Sequence, residues 1–129
     1  MTDTIAAIAT GSARTAIGIL RISGPQARQV LERTFTPFGK TPLKDRPPQT
    51  LIYGQLHGPD GAVLDNCLAT YSVAPASYTG EDTAELQCHG SPTMLAAGLE
   101  ALFAAGARQA KAGEFTRRAF LNGKLDLTQ

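Results

Sequence analysis

The four residues Gly58-Pro59-Asp60-Gly61 constrain this chain more than any others, because strand-like runs flank them on both sides, Leu51 to His57 and Ala62 to Val73. Proline presets φ, aspartate folds its side chain back onto the local backbone, and glycine accepts positive φ, so the turn is specified chemically. Two β-prone runs joined by such a turn form a hairpin. A hairpin with an apolar face must bury it, which calls for a larger sheet covered by helices.

The rest of the chain supplies both. Thr4 to Thr10 is an apolar run without alternation, as in a strand covered on both faces, and Ile17 to Ser23 is a second. Thr83 to Cys88 alternates, with Ala84, Leu86 and Cys88 on one face and Thr83, Glu85 and Gln87 on the other. Gly24-Pro25 opens a helix with Pro25 at its first position and Ala27, Val30, Leu31 and Phe35 along one face. Ser91-Pro92 opens another, closed by Gly106, with a stripe of Leu95, Leu99, Leu102 and Phe103. Alanines cover most of its remaining surface, so a sheet and then a second subunit are the expected covers. Thr36 to Gln49 holds four prolines and reads as a surface connection, and Ala74 to Asp82 as a polar loop with one aromatic. The fold class expected is α/β (α+β), a mixed sheet of about five to six strands with helices packed on it.

At 129 residues the chain is long enough to bury one core without disulfides or metal. Its 43% apolar content is that of a folded domain. Net charge is +1, with twelve basic residues dispersed, so no basic stripe marks a nucleic-acid surface. Cys67 and Cys88 form no CxxC pair and lie in apolar runs, as buried reduced thiols do. No run is long enough to span a membrane and no basic segment precedes the first apolar run, so a cytoplasmic location is expected.

Phe38-Gly39-Lys40-Thr41 imitates the end of a phosphate-binding loop, but Thr34 stands where the motif needs glycine and Pro42 where it needs a helix. Cys88-His89-Gly90 has too few neighbouring ligands for a metal, and His89 reads as a hydrogen-bonded residue at a strand-to-helix turn. Neither a catalytic dyad nor a metal cluster is expected. Arg21 is the anomaly, a guanidinium inside a run of Gly, Ile and Leu. It is either half of a structural ion pair or a ligand-binding arginine, a residue suited to carboxylates and the polar edges of flat heterocycles. Glu85, on the non-core face of its strand, is its natural counterpart, unless that face is merely solvated.

The run Gly113 to Leu127, GEFTRRAFLNGKLDL, is dense in charge and in turn residues. Thr116 is placed to N-cap a short helix with Phe115, Ala119 and Phe120 as its stripe, and Gly123 to end it. Asp126 and Gln129 have the spacing of a capping box, so a further helical region is expected to follow.

Four segments, DTIAAIAT from Asp3, GILRISG from Gly18, SYTGED with ELQCHG from Ser77 to Gly90, and the run from Gly113, closely resemble the N-terminal region of the tRNA-modification GTPases of the MnmE/TrmE type, in the same order. That resemblance implies a folate-binding and dimerisation domain over residues 1–122, with 123–129 leading into a helical domain. It implies a tetrahydrofolate ligand (5-formyltetrahydrofolate or a related one-carbon form), bound by Arg21, Glu85 and Lys124, and a homodimer. The fold implied is similar to the folate-binding domain of glycine-cleavage aminomethyltransferases.

For the full-length proteins of that family, the resemblance implies a GTPase using GTP, Mg and K in a domain outside this sequence. It also implies a flavin-containing MnmG/GidA-type partner, and modification of the wobble uridine of tRNA at C5. The chain itself, lacking a phosphate-binding loop, is not expected to hydrolyse GTP. Alternatives are a stand-alone folate-dependent one-carbon transferase and a dimerisation module with a degenerate folate pocket. The loop Gly11 to Ala16 has fewer glycines than the family's, which leaves its path open.

Overall fold

The computed structural model describes residues 3–10 and 16–124. Among them the strands are β1 (Ile5–Ile8), β2 (Ile17–Ser23), β3 (Phe35–Pro37), β4 (Ile52–His57), β5 (Val63–Ser72), β6 (Thr83–His89) and β7 (Arg108–Gln109). The helices are α1 (Ala27–Thr34), α2 (Pro92–Ala104) and α3 (Glu114–Leu121). One seven-stranded sheet runs β3-β4-β5-β6-β2-β1-β7, antiparallel throughout except for the parallel β1–β7 pair. The class is the expected mixed α/β sheet, and its two extra strands are the short edge pieces β3 and β7.

The hairpin forms where its turn chemistry put it. Gly58 and Ala62 close the loop by a backbone hydrogen bond of 2.9 Å, Asp60 accepts from the Ala62 amide at 3.0 Å, and Gly61 takes a φ of 84°. Alternation then sorts side chains by face. Leu20, Ile22, Ala69, Tyr71, Ala84, Leu86, Cys67 and Cys88 point to one side, where Val30 and Leu31 of α1 and Leu95 and Leu102 of α2 complete the core. Both cysteines are free and buried. Leu20, Leu31, Leu56, Leu86 and Leu102 are fully inaccessible, each worth about 1.5–3 kcal/mol of burial. Gly98 brings α2 close to the sheet: a β-carbon there would stand 2.8 Å from Leu20 Cδ1.

Helix ends depart from expectation in three places. Pro25 lies ahead of α1, whose N-cap is Gln26, because Gly24 and the Thr4 hydroxyl, which accepts from the Gln26 amide at 2.9 Å, set the entry. Phe35 is not on α1; it opens β3 and pairs with Leu56, so part of the proline-rich connection is an edge strand. Thr116 does not cap α3: Gly113 does, at φ 72°, and Thr116 sits inside the helix. Gly123 ends α3 as expected, at φ 75°, with its amide on Phe120 O and that of Lys124 on Ala119 O. The capping-box residues Asp126 and Gln129, and residues 11–15 of the Gly11 loop, lie outside the described residues.

Helix α2 is capped by Ser91 with Pro92 in its first turn, and Gly106 terminates it at φ 120°. Its buried face is Leu95, Gly98, Ala101 and Leu102, while Ala96, Ala97, Glu100 and Ala104 are exposed. Among the described residues no helix is long and apolar enough to cross a membrane.

Candidate functional site

The sheet face opposite α1 and α2 carries the polar alternates of the same strands. One register row crosses it: Ala7 on β1 stands beside Arg21 on β2, Arg21 beside Glu85 on β6, and Glu85 beside Thr70 on β5. The rows on either side point into the core, so this row alone puts a cation and an anion in the middle of the sheet. Arg21 Nε donates to Glu85 Oε2 at 2.7 Å, and the two side chains are 34% and 28% exposed.

The pair is therefore an ion pair that solvent can reach. Glu85 Oε1 and both terminal nitrogens of Arg21 have no hydrogen-bond partner among the described residues. A carboxylate acceptor beside a planar fork of donors, on an open face, suits a flat, polar-edged ligand.

Two hollows flank the pair. One of about 160 Å³ includes Thr70, Ser72, Thr83 and Glu85. The other, about 330 Å³, lies between Ala7 and the start of α3, where Lys111, Phe115 and Thr116 contribute. Arg21 and Tyr78 line both. The small side chain of Ala7 leaves the second hollow its room. Tyr78 and Phe115 each place a ring centroid 5.9 Å from the Arg21 guanidinium carbon, within cation–π range. A larger hollow of about 440 Å³ lies around the false phosphate-binding segment, with Glu32, Lys40 and Lys44 on its rim, away from the ion pair.

Lys124 is not brought to the pair. It lines neither hollow; its stem passes Gly80, on the loop that carries Tyr78. Tyr78 and Phe115 were not among the residues expected from sequence, although Tyr78 is the one aromatic of its loop and Phe115 sits inside the charged terminal run.

What holds Tyr78 and Phe115 over Arg21 is an ion cluster around the buried Arg118 that sequence reasoning did not find. Arg118 on α3 is 2% exposed. Its Nη1 donates to Asp3 O at 2.9 Å and to Glu81 Oε2 at 3.1 Å, and its Nη2 to Asp3 Oδ1 at 2.6 Å and to Glu114 Oε2 at 3.3 Å. Arg108 bridges the same acids, contacting Asp3 through Nε and Glu114 Oε2 through Nη2 at 2.6 Å. The Arg108 hydrogen bond, helped by the Lys111 amide and against partial burial, holds the Glu114 carboxyl at about 2. The Arg108 hydrogen bond likewise lowers that of Asp3. Ser23 donates to Glu81 at 2.6 Å and meets Thr79 at 2.7 Å, and Asn122 donates to Thr79 O at 2.9 Å. The loop 74–82 is thus tied to α3 and to the end of β2. The i,i+4 spacing of Glu114 and Arg118 was the available signal.

His89 is hydrogen-bonded, as expected: its amide and its Nδ1 meet the two oxygens of Asp65 at 2.8 and 2.7 Å.

Residues 4–124 match the family model described as "GTP-binding protein TrmE N-terminus". The chain is 54% identical over 127 residues to a protein of Symbiobacterium thermophilum named "tRNA modification GTPase MnmE", covering 98% of this chain and 28% of that one. A relative of the same name from Chloroflexus aurantiacus is 49% identical over 129 residues, covering 100% and 28%. One from Nitratidesulfovibrio vulgaris is 51% identical over 128 residues, covering 98% and 27%. The chain therefore spans about a quarter of the length of the curated relatives it matches.

Proposed function

The chain belongs to the family of TrmE N-terminal domains, and on that premise we propose that it is the tetrahydrofolate-binding, dimer-forming domain of a GTPase that modifies the wobble uridine of tRNA. The observation that carries the proposal is the Arg21–Glu85 pair, about a third exposed on the open sheet face, with donors and an acceptor that no described residue takes up. A bound 5-formyltetrahydrofolate, or a related form, would supply a one-carbon unit. Glu85 would accept from the N–H edge of its pterin or Arg21 would clasp a carboxylate of its tail, the rings of Tyr78 and Phe115 flanking it. Lys124, beside Gly80, would reach a tail extending past the loop.

In this reading residues 1–122 are the folate and dimer domain and 123–129 lead onward. In the same reading, GTP with Mg and K, the flavin-containing partner and tRNA would engage regions of the full-length proteins that this chain does not cover. Homodimerisation is supported by the outer face of α2, where Ala96, Ala97 and Ala104 are exposed around Glu100. Calorimetric titration of the purified chain with 5-formyltetrahydrofolate tests the folate reading: saturable heat supports it, and none at millimolar ligand refutes it. Light scattering at micromolar concentrations tests the dimer, with the mass of a single chain as the refuting result.

A further inference from the structure

The two hollows beside the ion pair meet at Arg21 and Tyr78, which line both. Small-ligand sites enclose about 300–1,000 Å³, whereas the hollow that holds Glu85 measures about 160 Å³ and the one along α3 about 330 Å³. A ligand that reaches Glu85 and also extends beside α3 must occupy both, passing Tyr78, which borders each. Its hydroxyl is 3.1 Å from Thr116 Oγ1 on α3, so the phenol spans the cleft from loop to helix, passing over Arg21. Its residue is 49% exposed, with room to swing outward.

The backbone on either side of Tyr78 is not free to follow. Ser77 donates its hydroxyl to Glu81 O, Thr79 is fully buried against Ser23, and Asn122 holds the Thr79 carbonyl. Motion at this point is therefore rotation of one side chain about its own torsions.

We propose that Tyr78 and Thr116 form a latch across the ligand cleft. Closed, it divides the cleft in two; open, it joins the halves into one trough that admits the ligand. The identity of that ligand rests on the folate reading above. The latch itself rests on the Tyr78–Thr116 hydrogen bond and the anchored backbone.

The test measures association of 5-formyltetrahydrofolate with immobilised protein, for wild type, Tyr78→Phe, Thr116→Val and the double variant. Each single change deletes the same hydrogen bond from opposite ends, so each should raise the association rate about fivefold, the worth of one neutral hydrogen bond. The double variant should gain no more than either single. In parallel, 3-fluorotyrosine labelling gives one fluorine resonance for each of the three tyrosines, and the one lost in Tyr78→Phe is assigned to Tyr78. Thr116→Val should shift that resonance and leave those of Tyr53 and Tyr71 in place. If wild type binds the folate but Thr116→Val moves neither the rate nor the resonance, the latch is wrong and the folate site stands. Rate gains that add in the double variant also overturn it. If wild type binds no folate, both fail.

Discussion

Arg21 and Glu85 stand directly opposite each other on β2 and β6, joined by one hydrogen bond of 2.7 Å and each about a third exposed. An ion pair so placed is worth little to the fold, about 0.2–1 kcal/mol, and leaves most of its hydrogen-bonding capacity to a ligand. Glu85→Gln should therefore melt close to wild type while losing on the order of 1.5–3 kcal/mol of folate affinity, the scale of a hydrogen bond to a charged group. Arg21→Lys should also weaken binding, since an ammonium cannot reproduce the planar fork. Calorimetry paired with thermal melts checks both; a variant that melts far lower yet binds normally once folded would refute the assignment.

Arg118 should behave in the opposite way. It is buried and pairs with Asp3, Glu81 and Glu114, so Arg118→Met takes the cation from the largely buried Glu81 carboxylate, while Asp3 and Glu114 keep Arg108. A loss of about 3–5 kcal/mol is expected in urea unfolding. The neighbouring Arg117 is exposed, and Arg117→Met should change stability by no more than about 0.5 kcal/mol. Equal effects of the two changes would contradict the described cluster.

The same cluster predicts an acid limb. Glu114 titrates at about 2 in the folded chain against 4.5 for the free group, and Asp3 is also lowered from 3.8. Between those values the unfolded chain binds the proton and the folded one does not, so stability falls as pH drops from about 5 towards 2. After allowing for screening of the half-exposed Arg108, the Glu114 share is on the order of 2 kcal/mol. Urea midpoints from pH 7 to 2.5 should show this decline, and Glu114→Gln should flatten it.

Gly24 joins β2 to α1 at a φ of 140°, and a β-carbon there would lie 2.6 Å from Thr4 Cα and 2.7 Å from Asp3 O. Both neighbours are backbone and cannot rotate away. Gly24→Ala should cost on the order of 3 kcal/mol or more, from backbone strain and overpacking together. An unchanged melting temperature would show that this corner is looser than described.

What the sequence made legible was whatever is decided locally. The Gly58–Gly61 turn, the alternation of Thr83 to Cys88 and the Ser91-Pro92 opening each lie within a few residues and were readable there. The Arg21–Glu85 pairing was legible because a charge inside an apolar strand requires a partner. The start of α3 was not: Gly113 takes the cap at a positive φ, and Glu114 after it bonds Arg108 and the Lys111 amide, partners outside the local run. Burial of Arg118 depends on Asp3 and Glu81, remote in sequence, and no window over the terminal run contains them. Phe35 continued the helical stripe, but pairing with Leu56 on β4 claimed it for the sheet edge.

The contact between Asp3 and Arg118 joins residues separated by 115 positions. Closing so long a loop costs entropy before any contact repays it, so this contact between the start of the described chain and α3 is expected to form after the central hairpin. Interactions absent from the folding barrier act on the reverse reaction. The staple between the two ends of the described chain therefore governs how long the folded domain survives before opening, and has little say in how fast it forms.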